Sequence, residues 1–472
     1  MPRAAPHAPC RPCERTAHYG RAVAPDGGGS RIQPEHAVRT RRRGEWVVAT
    51  SLVLAAGLLV ACVGQRPTTG ERVDGSAGTT VAGASLDAGT TAAGTTVAGA
   101  PPTTGAKGAV ATVTGGAAAT TVATAPAAPA PDAMSKLPAS GLFDGGRPPQ
   151  FVMVSFDGAA DPALMARWRS VAETSSARLT FFLSAVYLLG KQTRTTYQGP
   201  GHPAGASAIG FSPTPAGQDD NAYITAVVQS LQAAAKAGDE VGNHFGGHWC
   251  GAGGVGTWTK ADWATELNQV EALVLKVDSN NKLPVAVGPP YDPLRVAGAR
   301  TPCLEGKLDD LYPVLKARGY RYDASSTKGL FDWPKKKSGL WSFGFAGIDI
   351  AGLTRPTLTV DFSISTGFNG DAVKGTLTTE QTNQIYQSVK DAYLATFDKL
   401  YYGNRAPFEL SNHFNHSDGD AYNRALEDVI RTVCVRPEVV CGTYSQLADW
   451  LDAHAGQLDG VQGGKFTKLP KG

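Results

Sequence analysis

The stretch His244-Phe245-Gly246-Gly247-His248 and the earlier stretch Ser155-Phe156-Asp157-Gly158 decide how the rest of this chain is interpreted. Two histidines four residues apart, just after a predicted strand, are a pattern typical of a metal site. An Asp at the end of an earlier apolar strand can complete such a site. The alternative is a glycine-rich surface loop with two solvated histidines, so the neighbouring sequence has to decide.

Apolar runs and helical patterns alternate around these stretches, which favours strands of a parallel sheet covered by helices. Ile224, Val227, Val228 and Leu231 form one helical stripe, and Thr259 begins another helix. The alternation predicts an α/β fold, either a (β/α) barrel or a doubly wound sheet. We predict strands at 151–156, 179–183, around 241, 320–323 and 408–410, and helices at 162–172, 224–235, 259–277, 308–315, 385–397 and 426–433.

Four polar residues fall where a predicted strand ends: Asp157, His244, Asp361 and His413. Chemistry in α/β architectures is located at the carboxyl ends of the strands. An acidic residue directly after an apolar strand can also merely cap a loop. The shared position of all four favours a common site.

The near balance of positive and negative charge argues against a nucleic-acid-binding protein. The 472 residues carry 44 Lys+Arg and 41 Asp+Glu, a formal net charge of +3. The 56 glycines and 31 prolines are concentrated in one segment, so the composition describes two kinds of chain joined together.

Residues 39–61 are typical of an export signal, because basic residues precede a short apolar run. The run ends in Leu59-Val60-Ala61-Cys62, which resembles a bacterial lipobox in which Cys62 is lipidated. An ordinary signal peptide or a membrane anchor is the alternative. We therefore expect a lipoprotein anchored to the outer face of the cell membrane.

Two further segments flank this signal. Export signals normally begin near their basic region, so residues 1–38 suggest that the true translation start lies further downstream. If these residues are present, Cys10-x-x-Cys13 is weak evidence for zinc because no second ligand pair lies nearby. Residues 62–146 are rich in Ala, Gly, Thr and Pro and repeat the sequence GTTVAGA, so we expect a disordered tether. The folded domain is predicted at 147–455, with a tail at 456–472.

The order of motifs from 148 to 452 resembles the polysaccharide deacetylase superfamily, carbohydrate esterase family 4, whose fold is a distorted (β/α) barrel. Ser155-Phe156-Asp157 resembles the first motif of that family and His244 to His248 the second. Arg300-Thr301-Pro302-Cys303 resembles the third, in preference to Gly288-Pro289-Pro290-Tyr291, which lacks the Arg. Asp361 is a possible fourth motif, and Ser411-Asn412-His413 resembles the fifth.

The resemblance implies hydrolysis of N-acetyl groups on cell-wall or extracellular polysaccharide. His244 and His248 would bind a divalent metal, expected to be zinc, with cobalt or nickel possible. Asp157 would act as base, kept ionised by Arg300, and His413 as acid. Asp361 would hold His413 protonated, and the Cys303 amide could help to bind the oxyanion.

The chain departs from the family pattern at two positions. Gly158 stands where the family carries a second Asp that binds metal, and Cys303 stands where it carries an aromatic residue. Asp157 itself, Asp161 or water could fill the vacant ligand position, or the site could hold no metal. The rival function is therefore a glycan-binding protein that has lost catalysis.

The domain contains four cysteines, at 250, 303, 434 and 441, and an exported chain should be oxidised. A Cys250–Cys303 bridge would join the two loops that carry the second and third motifs. Cys434 and Cys441 would then close a short loop, which stabilises by roughly 2 to 3 kcal/mol in the chain-entropy model. The sequence alone allows three pairings.

Four further expectations remain. His416 competes with His413 for the acid role, but His413 is nearer the apolar strand. Trp249, Trp258, Trp263 and Trp333 could stack on sugar rings, although most are expected in the core or rim. An unrelated zinc amidase is disfavoured because His244 is not followed by Glu. We expect a monomer that meets polysaccharide and membrane but no nucleic acid.

Overall fold

The structure is a computed structural model that describes residues 132–369 and 377–471. The predicted start, export signal, lipobox at Cys62 and most of the tether lie outside the described residues. Within those two ranges, no helix combines the length and the apolar character that a membrane crossing requires.

Ten strands form the sheet of the described domain. All five predicted strands are present, and the structure adds a two-residue strand at Gly298–Ala299, three strands between residues 335 and 358, and a strand near the end of the chain. The strands are β1 (Gln150–Asp157), β2 (Thr180–Leu183), β3 (Glu240–Asn243), β4 (Gly298–Ala299), β5 (Tyr322–Lys328), β6 (Lys335–Lys337), β7 (Leu340–Ile348), β8 (Thr357–Leu358), β9 (Phe408–His413) and β10 (Val439–Gly442).

The sheet curls into a distorted barrel. β1 pairs in parallel with β9 on one side, and with β10 and then β2 on the other. From β2 the parallel pairing continues through β3, β4, β5 and β7, while β6 and β8 run antiparallel to β7. Val360, just after β8, bridges Ser411 of β9 and so closes the ring. The predicted α/β fold of the distorted-barrel type is confirmed.

Helices cover the outside of the barrel, and their starts follow local sequence. Thr259 caps α3 with a reciprocal bond to Asp262, as the sequence predicts, and Thr378 and Thr443 form the same capping box with Gln381 and Gln446. The helices are α1 (Pro162–Ser175), α2 (Asp220–Lys236), α3 (Lys260–Leu275), α4 (Val277–Asn281), α5 (Leu308–Ala317), α6 (Asp361–Asn369), α7 (Thr379–Tyr401), α8 (Ser417–Val433), α9 (Tyr444–Ala453) and α10 (Leu458–Gln462).

Two predicted element boundaries are corrected. The strand predicted at 320–323 begins at Tyr322 and continues to Lys328, because Tyr322 is the residue that pairs with Gly298 of β4. The helix predicted to reach Val277 breaks at Lys276, whose φ of −109° and ψ of 24° are not helical. Val277 instead begins α4 and remains buried.

The folded part extends beyond the predicted limits of 147 and 455. Ala133 is fully buried, and Asp132 accepts a hydrogen bond of 2.9 Å from the Gln446 side chain. At the other end, α10 buries Leu458 and Val461. These contacts attach residues on both flanks to the barrel, so the Ala/Gly/Thr/Pro composition marks the tether's end only approximately.

Candidate active site

Four predicted site residues lie at the carboxyl ends of strands, whereas Asp361, also predicted to end a strand, instead begins α6, three residues after β8 ends. Asp157 ends β1 and is the register partner of His413, which ends β9. His244 follows β3, and Arg300 follows β4. The barrel therefore gathers residues that are up to 256 positions apart in the printed sequence. This placement agrees with the general location of chemistry in α/β barrels.

Arg300 and Asp157 form a buried ion pair at the centre of the site. Nη1 of Arg300 donates to Asp157 Oδ1 at 2.8 Å, and the arginine side chain has no exposed surface. Burial alone would raise the pKa of Asp157, but the Arg300 charge and the hydrogen bond hold that pKa below its usual value. No described group hydrogen-bonds to Oδ2 of Asp157 in 132–369 or 377–471. Asp157 is therefore an ionised carboxylate with one oxygen available.

The remaining donors of Arg300 fix its orientation. Nη1 also donates to Ser411 Oγ at 3.1 Å, Nη2 to the Tyr444 hydroxyl at 3.0 Å, and Nε to the Ala324 carbonyl at 3.1 Å. The guanidinium carbon lies 4.4 Å from the centre of the Phe182 ring. Because every partner comes from a different segment of the barrel, Arg300 cannot turn away from Asp157 without breaking several contacts.

A second buried charge pair lies beneath Arg300. Lys328 Nζ is 3.3 Å from Glu409 Oε1, and the Tyr444 hydroxyl, which accepts from Arg300, donates to Glu409 Oε2 at 3.4 Å. Glu409 Oε1 has no hydrogen bond of standard geometry, but the positive charge of Lys328 lies close to it. The result is a chain of polar groups from Asp157 through Arg300 and Tyr444 to Lys328.

His244 is presented in the tautomer that metal binding requires. Its Nδ1 lies 2.8 Å from the Arg300 carbonyl oxygen, and since a carbonyl only accepts, Nδ1 carries the proton. Nε2 is then left as the basic nitrogen, an arrangement common for metal-binding histidines. Burial lowers the pKa of His244, so the ring is neutral.

His248 lies beside His244. The two ring centres are 5.0 Å apart at an interplanar angle of 65°. Burial lowers the pKa of His248 to about 3, so this ring is also neutral. His248 adopts a positive φ of 55°, a conformation that costs about 1 to 3 kcal/mol and that clusters at functional sites.

Buried side chains hold the loop between the two histidines. The Phe245 amide donates to Asn243 Oδ1 at 2.7 Å, the Gly246 amide to Glu266 Oε1 at 2.8 Å, and the Gly247 amide to the Tyr197 hydroxyl at 2.8 Å. Tyr197 in turn donates to the Glu266 carboxylate at 3.0 Å. Burial raises the pKa of Glu266 to about 7 despite these bonds. Successive amides of the loop are thus satisfied and its path is fixed.

His413 is paired with Asp361, as the sequence predicts. Its Nδ1 lies 2.6 Å from Asp361 Oδ1, and its amide donates to Asp361 Oδ2 at 2.8 Å. Burial opposes the charge of His413, but the Asp361 charge and hydrogen bond outweigh burial and raise the pKa of His413 to about 9. His413 is therefore protonated at neutral pH. The competing His416 pairs instead with Asp420 on the surface, at 2.8 Å.

Gly158 leaves the position after Asp157 without a ligand. A Cβ there would lie 3.4 Å from Tyr187 Cε2, and the φ of +71° favours glycine. Asp161, one of the alternatives for this position, accepts from the Ala163 and Leu164 amides at 2.8 and 2.9 Å and so caps α1. Gly158, Asp161 and Tyr187 help to line a recess of about 80 Å³.

Both disulfides suggested by the sequence are present: Cys250–Cys303 and Cys434–Cys441. The first joins the loop after His248 to the loop after Arg300. Cys303 and the following Leu304 both have positive φ, at 55° and 57°. The bridge therefore links two site loops whose backbones are held in an uncommon conformation.

The donor set fits a divalent metal only in part. His244 and His248 supply neutral imidazoles, which suit zinc, cobalt or nickel. Asp157, His244 and His248 do not all have ligand atoms within 4.8 Å of one another; among the described residues, His248, Cys250 and Cys303 are the trio that meets that spacing. Both sulfurs of that trio are engaged in the disulfide. The arrangement therefore provides a pair of imidazoles rather than a preformed three-ligand site.

Several residues of the site were not predicted. Tyr197, Glu266, Glu409 and Tyr444 all support a predicted site residue from a distant part of the chain. Glu266 had a usable signal, because it falls on the apolar face of α3 beside Trp263 and Leu267 and is fully buried. A carboxylate on an apolar helix face requires a buried partner.

The positions of Arg300 and of the tryptophans in the structure decide two alternatives that the sequence leaves open. Arg300 makes the pair with Asp157, so the third motif lies at Arg300 to Cys303 and not at Gly288 to Tyr291. Trp258, Trp263 and Trp333 are buried core residues. Trp249 is partly buried and stacks on His202 with ring centres 3.5 Å apart. None of the three buried rings is available to stack on a sugar.

No family model and no curated protein matches the chain. It is similar to a Mycobacterium smegmatis protein assigned as a polysaccharide deacetylase, at 16% identity and a TM-score of 0.40, over 70% of this chain and 95% of that one. It is similar to the peptidoglycan deacetylase PdaC of Bacillus subtilis at 11% identity and a TM-score of 0.33, over 66% of this chain and 97% of that one.

A Bacillus anthracis pseudoenzyme of carbohydrate esterase family 4 is also similar, at 9% identity and a TM-score of 0.33, over 64% of this chain and 66% of that one. These three solved structures are described as a polysaccharide deacetylase, a peptidoglycan deacetylase and a family 4 pseudoenzyme, and the motifs of this chain resemble the same superfamily.

Proposed function

We propose that the chain is a metal-dependent hydrolase that removes N-acetyl groups from cell-wall or extracellular polysaccharide. This proposal is supported by two separate ion pairs, which hold the candidate base and the candidate acid in opposite protonation states. Asp157 is kept ionised by Arg300, and His413 is kept protonated by Asp361. Groups whose pKa values are pushed apart in this way are suited to act as base and acid.

The chain's own residues can carry both proton transfers. Oδ2 of Asp157 accepts the proton of the attacking water, because Oδ1 is engaged with Arg300. His413 donates its proton to the leaving amine nitrogen. Asp157 and His413 end paired strands, so base and acid approach the acetamido group from adjacent positions. Asp361 then stabilises the charge of His413 before the transfer.

His244 and His248 would hold the metal, whose chemistry is to lower the pKa of a water and polarise the acetyl carbonyl. Because Asp161 caps α1 and position 158 is glycine, His244 and His248 would hold the metal without a second carboxylate. Asp157 would then act as base and not as a ligand. Loss of the usual carboxylate predicts weaker metal binding than in a site with three protein ligands.

Release of acetate tests the proposal. The purified full chain, oxidised and incubated with zinc, is given acetylated chito-oligosaccharides or acetylated peptidoglycan fragments. We expect acetate from the wild-type chain and none above background from His244→Ala, because that change removes an imidazole ligand. A wild-type chain that binds these glycans without releasing acetate would overturn the proposal in favour of the glycan-binding function that Gly158 suggests.

The location is a separate proposal. Residues 39–62 suggest export and lipidation of Cys62, which would place the domain outside the membrane on its tether. Partition of the chain expressed in a bacterial host into a detergent phase, and its loss with Cys62→Ser, would support the anchor. Equal partition of both chains would reject it.

Replacing Asp361 with Asn should move the alkaline limit of activity. His413 must be protonated, so activity of the wild type should fall as pH rises through about 9. Without the Asp361 charge, burial lowers the pKa of His413, and the loss should occur at a lower pH. The pH dependence of kcat measures this shift. Asp420→Asn, which alters the surface pair with His416, should leave the profile unchanged.

The same pair contributes to stability with the same sign. The pKa of folded His413 is raised above the unfolded value of about 6.5, so the contribution is fully present below that pH and is lost as pH rises through about 9. If kcat had the same pH dependence in the wild type and in Asp361→Asn, the assignment of His413 as the acid would be contradicted.

A further inference from the structure

The region around the Cys250–Cys303 disulfide contains more metal-binding chemistry than the proposed reaction uses. His248, Cys250 and Cys303 are the trio of candidate ligands, among the described residues, whose donor atoms all lie within 4.8 Å of one another. In the oxidised chain both sulfurs are in the disulfide and cannot act as thiolates. Reduction would convert the same atoms into two soft ligands beside an imidazole.

We propose that reduction of Cys250–Cys303 creates a second metal site, formed by His248 and the two thiolates, which takes a thiophilic divalent ion such as zinc. The site does not depend on the proposed hydrolase function. Its consequence for activity does rest on that function, because both sites would use His248.

The distances support this ligand set. Nδ1 of His248 lies 3.7 Å from Cys250 Sγ. Two ligands of a tetrahedral zinc, at about 2.0 and 2.3 Å from the ion, are separated by about 3.6 Å. The Cα atoms of Cys250 and Cys303 are 6.0 Å apart, so small side-chain rotations suffice to separate the sulfurs around an ion. The imidazole nitrogen already lies where such a site requires it.

Accessibility distinguishes this bridge from the other disulfide. Cys303 is exposed and Cys250 is partly exposed, whereas Cys434 and Cys441 are both buried. Thiol–disulfide exchange requires access of the attacking thiolate to a sulfur. A reductant therefore reaches the Cys250–Cys303 bridge first, and the bridge that stabilises the loop after α8 is left intact.

The chemical step balances with a dithiol as co-reactant. A dithiol breaks the S–S bond by exchange and becomes a disulfide itself, and its two electrons and two protons pass to the sulfurs of Cys250 and Cys303. Metal binding then displaces both thiol protons to solvent. No other oxidant or reductant is needed.

The two sites compete for His248. A neutral imidazole has one basic nitrogen, and the second site requires it at Nδ1, which faces Cys250. The pair with His244 would then be left only the protonated Nε2. A chain that carries metal on the two thiolates would therefore lose the ligand pair of the proposed hydrolase.

Cobalt absorption tests the inference directly. Thiolate ligands give sulfur-to-cobalt charge-transfer absorption that nitrogen and oxygen ligands lack. The sample is a full chain in which Cys10, Cys13, Cys62, Cys434 and Cys441 are each replaced by Ser, so that Cys250 and Cys303 are its only thiols. It is titrated with Co²⁺ before and after reduction, without oxygen. We expect the absorption only after reduction, saturating near one ion per chain.

Variants identify the ligands. Cys250→Ser should abolish the absorption of a two-thiolate site, and His248→Ala should weaken cobalt binding at least about tenfold. His244→Ala should leave it unchanged, because His244 belongs only to the other pair. No sulfur-to-cobalt absorption in the reduced chain, or equal affinity with and without His248, would overturn the inference. If the chain with five replacements does not fold, the test uses two other reduced chains, the wild type and Cys303→Ser. Subtracting the cobalt spectrum of reduced Cys303→Ser from that of the reduced wild type gives the same difference spectrum.

The outcome is separable from the proposed function. Acetate release is measured on the oxidised chain, in which the second site does not exist. Failure of cobalt to bind the reduced chain leaves that assay untouched, and failure of acetate release leaves the cobalt result untouched.

Discussion

Asp157→Asn is expected to lower the rate of acetate release by about 10²- to 10⁴-fold, the usual contribution of a positioned general base. The amide keeps the size of the side chain and its hydrogen bond from Arg300, but it cannot accept the proton of water. The rate constant with an acetylated chito-oligosaccharide, measured at saturating zinc, gives the ratio.

Asp161→Asn is the matched control for this change. It lies four residues later and makes the same conservative replacement, and Asn caps a helix about as well as Asp. Its activity should equal that of the wild type. Activity of Asp157→Asn within tenfold of the wild type would remove Asp157 from the base role. A large loss in Asp161→Asn would instead restore Asp161 as a metal ligand.

Arg300→Met is expected to cost about 3 to 5 kcal/mol of unfolding free energy, because it leaves the carboxylate of Asp157 buried without its charge partner. The Ser411 and Tyr444 hydroxyls also lose the donor that orients them. Denaturant unfolding at neutral pH measures the difference. Arg321→Met, which breaks the more exposed pairs with Asp449 and Asp452, should cost at most about 1 kcal/mol.

The pH dependence of this cost has a definite sign. The pKa of Asp157 is depressed in the folded wild type, so the pair stabilises above the unfolded value near 4 and its contribution is lost as pH falls through the folded pKa. The difference between the wild type and Arg300→Met should therefore shrink in acid. A difference that stays constant down to pH 2 would show that packing of the arginine, and not its charge, is what matters.

The predictable part of the fold is the part that local sequence determines. Residues 150–157 form a buried apolar strand that ends in Asp157, and the stripe of α2 and the capping box of α3 mark their helices. Since parallel strands share one carboxyl edge, strand ends alone placed Asp157 and His413 together. These inferences needed no knowledge of the tertiary partners.

The unpredicted part depends on tertiary pairing. β6 is Lys335–Lys337, an exposed charged segment that is a strand only because it pairs with β7. β4 has two residues, Gly298–Ala299, too few for any periodic pattern. Its glycine is required because a Cβ there would lie 2.0 Å from the Tyr322 ring. Such elements are defined by their neighbours.

The site shows the same division. Motif order identified Arg300 and His413, but the groups that hold them, such as Tyr444 and Glu409, act through contacts across the barrel. The loop between the histidines likewise depends on Tyr197 and Glu266, which are 69 positions apart. Hydrogen bonds between distant positions leave no periodic signal in one sequence.

The zinc content of the oxidised full chain tests directly whether two imidazoles bind metal without the second Asp. After incubation with zinc and removal of the excess, elemental analysis compares the wild type with His248→Ala. We expect about one zinc per wild-type chain and none in His248→Ala. No zinc in either chain, even from an excess, would contradict this expectation and favour a glycan-binding protein.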